Sequence, residues 1–210
     1  AIVFQQLGII AYEENKLDEA YRLYQKALEH FEAIDNQEGI ARSLHRLGVI
    51  TQMQEEHGLA RRFYERSLEI EESLGDHAGV AATLHQLGTL AQEQGEYDIA
   101  RRFYERAHKT YESVGDAKGS LHALNQLGNL AHEQGDYVTA RAFYQRSLKA
   151  AQELGDQEEI AVGLINMGIL AASEGETAAA RKYLLKSLET LKGLHSPWEE
   201  TARRCLAELE

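Results

Sequence analysis

An all-α solenoid of five helix–turn–helix repeats closed by a C-terminal helix is predicted by three observations. Leu7-Gly8, Leu47-Gly48, Leu87-Gly88, Leu127-Gly128 and Met167-Gly168 recur at an interval of 40 residues. Apolar residues between these pairs follow the spacing of helix faces. Gly75-Asp76, Gly115-Asp116 and Gly155-Asp156 punctuate the chain at the same interval, each a helix stop followed by a helix start. A unit of this size cannot bury its apolar face alone, so its neighbours must cover it. Function is therefore expected on a long shared surface rather than in one pocket.

The repeats fall at about residues 1–35, 36–75, 76–115, 116–155 and 156–195, with a capping helix over 197–209, all in a single domain spanning 1–210. The first helix of repeat 1 begins at Ala1 without the capping turn of the others, and more chain is expected upstream of it. Asp35-Asn36 ends repeat 1: the cap is present, the glycine is not. Repeat 3 shows the pattern best. Asp76 caps a helix whose face carries Val80, Leu84, Leu87, Leu90 and Ala91. Gln94-Gly95-Glu96 breaks it, and a second helix from about Tyr97 buries Ala100, Phe103, Tyr104, Ala107, Tyr111 and Val114. Glycine inside a helix costs about 1 kcal/mol relative to alanine. The return of Gly48, Gly88, Gly128 and Gly168 therefore suggests that a neighbouring backbone needs the space. Arg61–Glu65 and Arg101–Glu105 are expected as surface pairs one helical turn apart. At the far end Ser196-Pro197-Trp198-Glu199 reads as a helix start. Ala202, Leu206 and Leu209 should then close repeat 5, with the indole of Trp198 joining the cover.

A net charge of -12 argues against nucleic acid and anionic membranes as partners. No apolar run is long enough to span a bilayer. One cysteine, Cys205, excludes an intrachain disulfide and a multi-cysteine metal site, which suits a cytoplasmic location.

Leu84, Leu87-Gly88, Ala91, Gly95-Glu96-Tyr97, Ala100, Tyr104 and Ala107 occur in an order that resembles the tetratricopeptide repeat family. Leu124, Leu127-Gly128, Ala131, Gly135-Asp136-Tyr137, Ala140, Tyr144 and Ser147 repeat that order. The bulky position is Leu or Phe4, never Trp, and the helix-ending proline is absent, so the chain resembles the subclass with 40-residue repeats. The resemblance implies a right-handed solenoid whose first helices line a concave groove that binds a protein or peptide segment, with no cofactor and no catalysis.

Carried over, the groove positions give a peptide-binding set of Arg42, His45, Arg46, His85, Gln86, Thr89, His122, Asn125, Gln126, Asn129, His132, Ile165 and Ile169. Side-chain amides both donate and accept hydrogen bonds, which suits a peptide backbone. Arg42 and Arg46 would take an acidic side chain, and Ile165 and Ile169 an apolar anchor. A solvated helix face also favours Gln and Asn, so that bland alternative stays open. Both groove ends are apolar, Ile2, Ile9 and Tyr12 at one and Val162, Ile165 and Ile169 at the other; a homodimer through them is a further expectation, with cover by the C-terminal helix or a different helix rotation as the alternatives. A clamp for a C-terminal carboxylate is not expected, because Gln5 and Ile9 stand where its basic and amide groups would be. Two other readings remain: a small-molecule-sensing arm of a multidomain regulator, and a self-assembly module.

Nine histidines invite a metal reading, but equivalent side chains on successive repeats should stand about 10 Å apart. Ligand atoms for zinc must lie about 2 Å from one point, so no metal is expected. His108 stands in a leucine column and is expected half-buried with a partner, while His57 reads as a tolerated edge substitution. No nucleophile setting or phosphate-binding loop is present.

Overall fold

The computed structural model describes residues 1–209. Its helices are α1 (Ile2–Glu13), α2 (Leu17–Ala33), α3 (Gln37–Met53), α4 (His57–Leu74), α5 (His77–Glu93), α6 (Tyr97–Val114), α7 (Ala117–Glu133), α8 (Tyr137–Leu154), α9 (Gln157–Ser173), α10 (Thr177–Leu191) and α11 (Trp198–Ala207). No strand occurs among the described residues. The chain divides into two compact units, Ala1–Val114 and the part from Gly115 onward. In each unit a first helix packs on the second helix of its own repeat, and that second helix packs on the next first helix. This is the all-α solenoid plan.

Caps fix where helices begin and end. In unit 1 the Asn36 and Asp76 side chains accept from the Gly39 and Gly79 backbone N–H groups at 2.8 and 3.0 Å. Gly75 closes α4 with φ +68°, a left-handed conformation that costs glycine nothing. Asp35 takes the equivalent turn at φ +50°. In unit 2 Asp116, Asp136 and Asp156 act as caps in the same way.

The space left by the repeating glycine is filled by a ring, not by backbone. A Cβ on Gly48 or Gly88 would stand 2.6 Å from the ring of Tyr64 or Tyr104, and one on Gly128 2.5 Å from that of Tyr144. Each tyrosine lies over the glycine of its own repeat, and its hydroxyl emerges on the first-helix face. Tyr64 and Tyr104 donate to Gln52 and Gln92 Oε1, each at 2.9 Å, and Tyr144 donates to Asn129 Oδ1 at 2.8 Å. Burial pushes the Tyr64 and Tyr144 hydroxyls well above the usual phenol range.

Successive repeats are tied by ion pairs on the second helices. Arg61 reaches Glu96, and not Glu65 of its own helix, at 2.5 Å. Arg66 pairs with Glu32 at 2.7 Å, and Arg106 with Glu72. In unit 2 Arg141 pairs with Glu174. Each arginine spans the distance to an adjacent repeat, which the one-turn spacing did not anticipate.

In unit 2 Ile165, Leu184 and Ala202 form one cluster, with Ile169, Leu206 and Leu209 packed on it. The C-terminal helix thus covers repeat 5 as expected. Trp198, the first residue of α11, departs from expectation: it is 40% exposed and is not part of that cluster. Ser196 Oγ accepts from the Trp198 N–H at 3.3 Å and donates to Glu158 at 2.5 Å, so the entry to α11 is fixed by serine.

Candidate functional site

The first-helix face of unit 1 is built on α1, α3 and α5. Here Arg42, His45 and Arg46 of the expected set come together with Gln5, Gln6 and Ile9 around a hollow of about 310 Å³. Its lining also includes Tyr24, Glu71, Asp76, Gly79 and Ala82. Arg42 and Arg46 are exposed, and neither guanidinium has a hydrogen-bond or ion-pair partner among the described residues.

Behind them runs a chain of polar contacts. His45 Nδ1 lies 2.9 Å from Thr83 Oγ1, and that hydroxyl donates to Glu71 Oε1 at 3.1 Å. The hydroxyl proton being committed to Glu71, its oxygen accepts from His45, which fixes the tautomer with the proton on Nδ1. The His45 ring meets Tyr64 edge-on, with centroids 5.7 Å apart. Burial, helped by the charge of Arg46, lowers the His45 pKa to about 4, so the ring is neutral at pH 7.

Glu71 is the functional candidate absent from the expected set. It is 4% exposed, and its Oε2 has no partner. Burial raises its pKa, against the pull of the Thr83 and Ser67 hydroxyls. The signal in the sequence is a comparison down the column: Phe31, Tyr111, Ala151 and Leu191 occupy the same place in the other repeats. The Thr83 hydroxyl donates to this intruding carboxyl, and Ser67 Oγ lies 3.0 Å from the same oxygen.

The rest of the unit 1 set lies on α5. His85 meets the Tyr104 ring edge-on at 5.5 Å. Thr89 Oγ1 donates to the His85 carbonyl at 3.2 Å and lies 3.2 Å from the Tyr104 hydroxyl oxygen. Gln86 is half-buried, and its amide has no partner among the described residues. Gln52 Nε2 donates to both carboxylate oxygens of Glu93 at 2.9 Å, bridging α3 to α5.

In unit 2 the first-helix face is built on α7 and α9. His122 Nε2 donates to Glu159 Oε1 at 2.9 Å, beside Lys118, which also reaches Asp156 at 3.0 Å. The hydrogen bond from Lys118 holds the Asp156 carboxyl below its usual range. Asn129 Nδ2 donates to Gln126 Oε1 at 2.9 Å, while its own oxygen accepts from Tyr144. His132 Nε2 lies 2.8 Å from Ser173 Oγ. Asn125 is only 8% exposed and faces Asn166, so it is largely withdrawn from any partner. The apolar anchor fails on physical grounds: Ile165 is 2% exposed beneath α11, and Ile169 packs on the same cluster. At the N-terminal apolar end Ile2 is exposed, while Ile9 and Tyr12 pack on the core cluster around Tyr24 and Leu47.

Outside the first-helix faces, His108 is buried with its Nε2 3.7 Å from Glu112, and His57 stands 3.8 Å from Glu93. Among the described residues no group of three or more His, Cys, Asp or Glu is placed to hold a metal ion. No helix among them is long and apolar enough to cross a membrane.

Solved structures share the fold at low identity. BtubC (BKLC) from P. vanneervenii is 18% identical with a TM-score of 0.80, over 92% of this chain and 82% of that one. A Rap protein complexed with competence and sporulation factor is 16% identical with a TM-score of 0.72, over 98% of this chain and 62% of that one. A signal transduction ATPase with numerous domains and a tetratricopeptide repeat sensor, from Pyrococcus horikoshii, is 15% identical with a TM-score of 0.84. The chain covers 31% of that ATPase's length. No curated protein sequence matches the chain. The tetratricopeptide repeat profile matches residues 1–73, 40–113 and 119–193, which shows that the chain belongs to the tetratricopeptide repeat family.

Proposed function

We propose that this chain is a non-catalytic interaction scaffold that binds a protein or peptide segment along its first-helix faces. The observation that carries this reading is the state of Arg42, Arg46 and Gln86. They are three polar side chains on the face of unit 1, without partners among the described residues, around and beside a hollow deep enough to take a side chain. Guanidinium groups favour carboxylates, and the amide of Gln86 suits backbone N–H and C=O groups. Gln126, whose side-chain N–H groups have no partner, supplies the same chemistry in unit 2. The Rap structure contains a bound factor, and that fold supports the reading without identifying a ligand here.

The test is a displayed random-peptide library selected on the immobilised chain. Selected peptides should bind at least tenfold more weakly to the triple variant Arg42→Ala, Arg46→Ala, Gln86→Ala, since each lost hydrogen bond costs about 0.5–1.5 kcal/mol. Helicity and melting should be unchanged. Peptides that bind both proteins equally would move the site off this face, and a library that yields none would remove the reading.

A further inference from the structure

The hollow over α1, α3 and α5 has an uncommon charge layout. Its rim carries two positive groups without partners, Arg42 and Arg46. Its lining includes Glu71, a residue 96% removed from solvent whose Oε2 has no partner. Asp76 adds a second carboxylate at the edge. The opening between them exists because two positions are small. Ala82 lies in the lining, and a Cβ on Gly79 would stand 2.6 Å from Asp76 Oδ2 and 3.0 Å from Glu71 Cδ.

Packing does not explain Glu71. Its column is otherwise Phe31, Tyr111, Ala151 and Leu191, and each of these is apolar or aromatic. The protein instead holds the carboxyl in place: the Thr83 hydroxyl donates to Oε1, and Ser67 Oγ lies 3.0 Å from it. His45, neutral and bonded to Thr83, locks that hydroxyl's direction. Everything is spent on Oε1, and Oε2 is left over. A buried acceptor without a donor is destabilising, and an N–H donor from a ligand would relieve that cost.

A plain cation would be repelled by the two arginines at the rim, and a plain anion by Glu71 and Asp76. The ligand that satisfies both ends carries both charges. We propose that this hollow binds a compact zwitterion, with its ammonium group donating to Glu71 Oε2 and its carboxylate held by Arg42 and Arg46. A volume of about 310 Å³ suits a free α-amino acid or a dipeptide. The site does not depend on segment binding along the helices.

Isothermal titration calorimetry on the purified chain tests this directly. The probes are the twenty L-amino acids, each alone, and a set of dipeptides. At least one probe should bind saturably below 1 mM. N-acetylation of that probe and amidation of its carboxylate should each weaken it at least tenfold. Glu71→Gln, nearly isosteric, should abolish the effect of N-acetylation, and Arg42→Ala with Arg46→Ala should abolish that of amidation. Binding by free amino acids alone identifies a metabolite site; binding by dipeptides identifies capture of short peptides. No binding by any probe at 10 mM overturns the proposal, and so does binding that is indifferent to both variants. Should Glu71→Gln melt early, Ala82→Leu fills the hollow without touching the carboxyl, and undiminished binding to that variant is equally fatal. Peptides selected for the first-helix face are read in a separate assay, so either reading can fail alone.

Discussion

His45 and Glu71 sit one hydroxyl apart and respond to pH in opposite directions. An imidazole in the unfolded chain titrates near 6.5, whereas His45 in the fold titrates at about 4. Between those values only the unfolded chain takes up the proton, so stability falls as pH drops. His45→Gln should remove a loss of order 2 kcal/mol between pH 7 and pH 4, read from urea unfolding at each pH. For Glu71 the folded state binds its proton more tightly than the unfolded state does. Its contribution is complete below the unfolded carboxyl range and is lost as pH rises through the raised folded value. Glu71→Gln should therefore stabilise the protein at pH 8 by about 1 kcal/mol and give no gain at pH 4. A Gln variant less stable than the parent at pH 8 would show that the carboxylate makes a favourable contact. The two residues also differ in how far the sequence announced them. His45 was legible from its groove position. Glu71 was not, because the recurrence that identifies a fold says nothing about the one residue that breaks its column.

A helix of this chain is defined as much by its glycine as by its leucines. Gly88→Ala gains helix propensity worth about 1 kcal/mol and drives a methyl into the Tyr104 ring, an overpacking that typically costs about 1–3 kcal/mol. The net change should be a lower melting temperature. Gly168→Ala meets only the flexible Leu184 side chain, at 2.9 Å, and should be milder. Gly58 in α4 has nothing within 4 Å of its would-be Cβ, so Gly58→Ala should raise stability by up to about 1 kcal/mol. Thermal melts of the three variants check the order. The glycine column was visible in the sequence, but its cause was not: a repeat pattern shows that room is needed without showing that a ring from 16 residues onward fills it. The Arg61 pairing was hidden for a similar reason, since spacing along one helix cannot reveal a nearer carboxylate on the next repeat. Trp198 was misplaced because a cap motif fixes where α11 begins, not which way its first side chain faces.

For the chain taken entire, the 40-residue recurrence and the Gly-Asp punctuation carried the fold class, and Ser196-Pro197-Trp198-Glu199 carried the closing helix. The first-helix faces were legible too, as positions rather than as working groups. Ile165 lost its place because α11 lies on it, a contact between elements 40 residues apart that periodicity does not encode. A net charge of -12 sets one further expectation. At 150 mM salt the chain should neither retard duplex DNA in a gel nor co-sediment with anionic vesicles, and binding to either would require a basic face that the charge argues against. The tyrosine hydroxyls bear on how any partner would be met. Tyr64, Tyr104 and Tyr144 reach from the packed interior to hold Gln52, Gln92 and Asn129 in single orientations. Freezing a mobile side chain at an interface costs about 0.5–1.5 kcal/mol. Here that ordering is complete when the chain folds, so an incoming molecule meets acceptors and donors already aimed, and the interior of the protein sets the pattern that its surface offers.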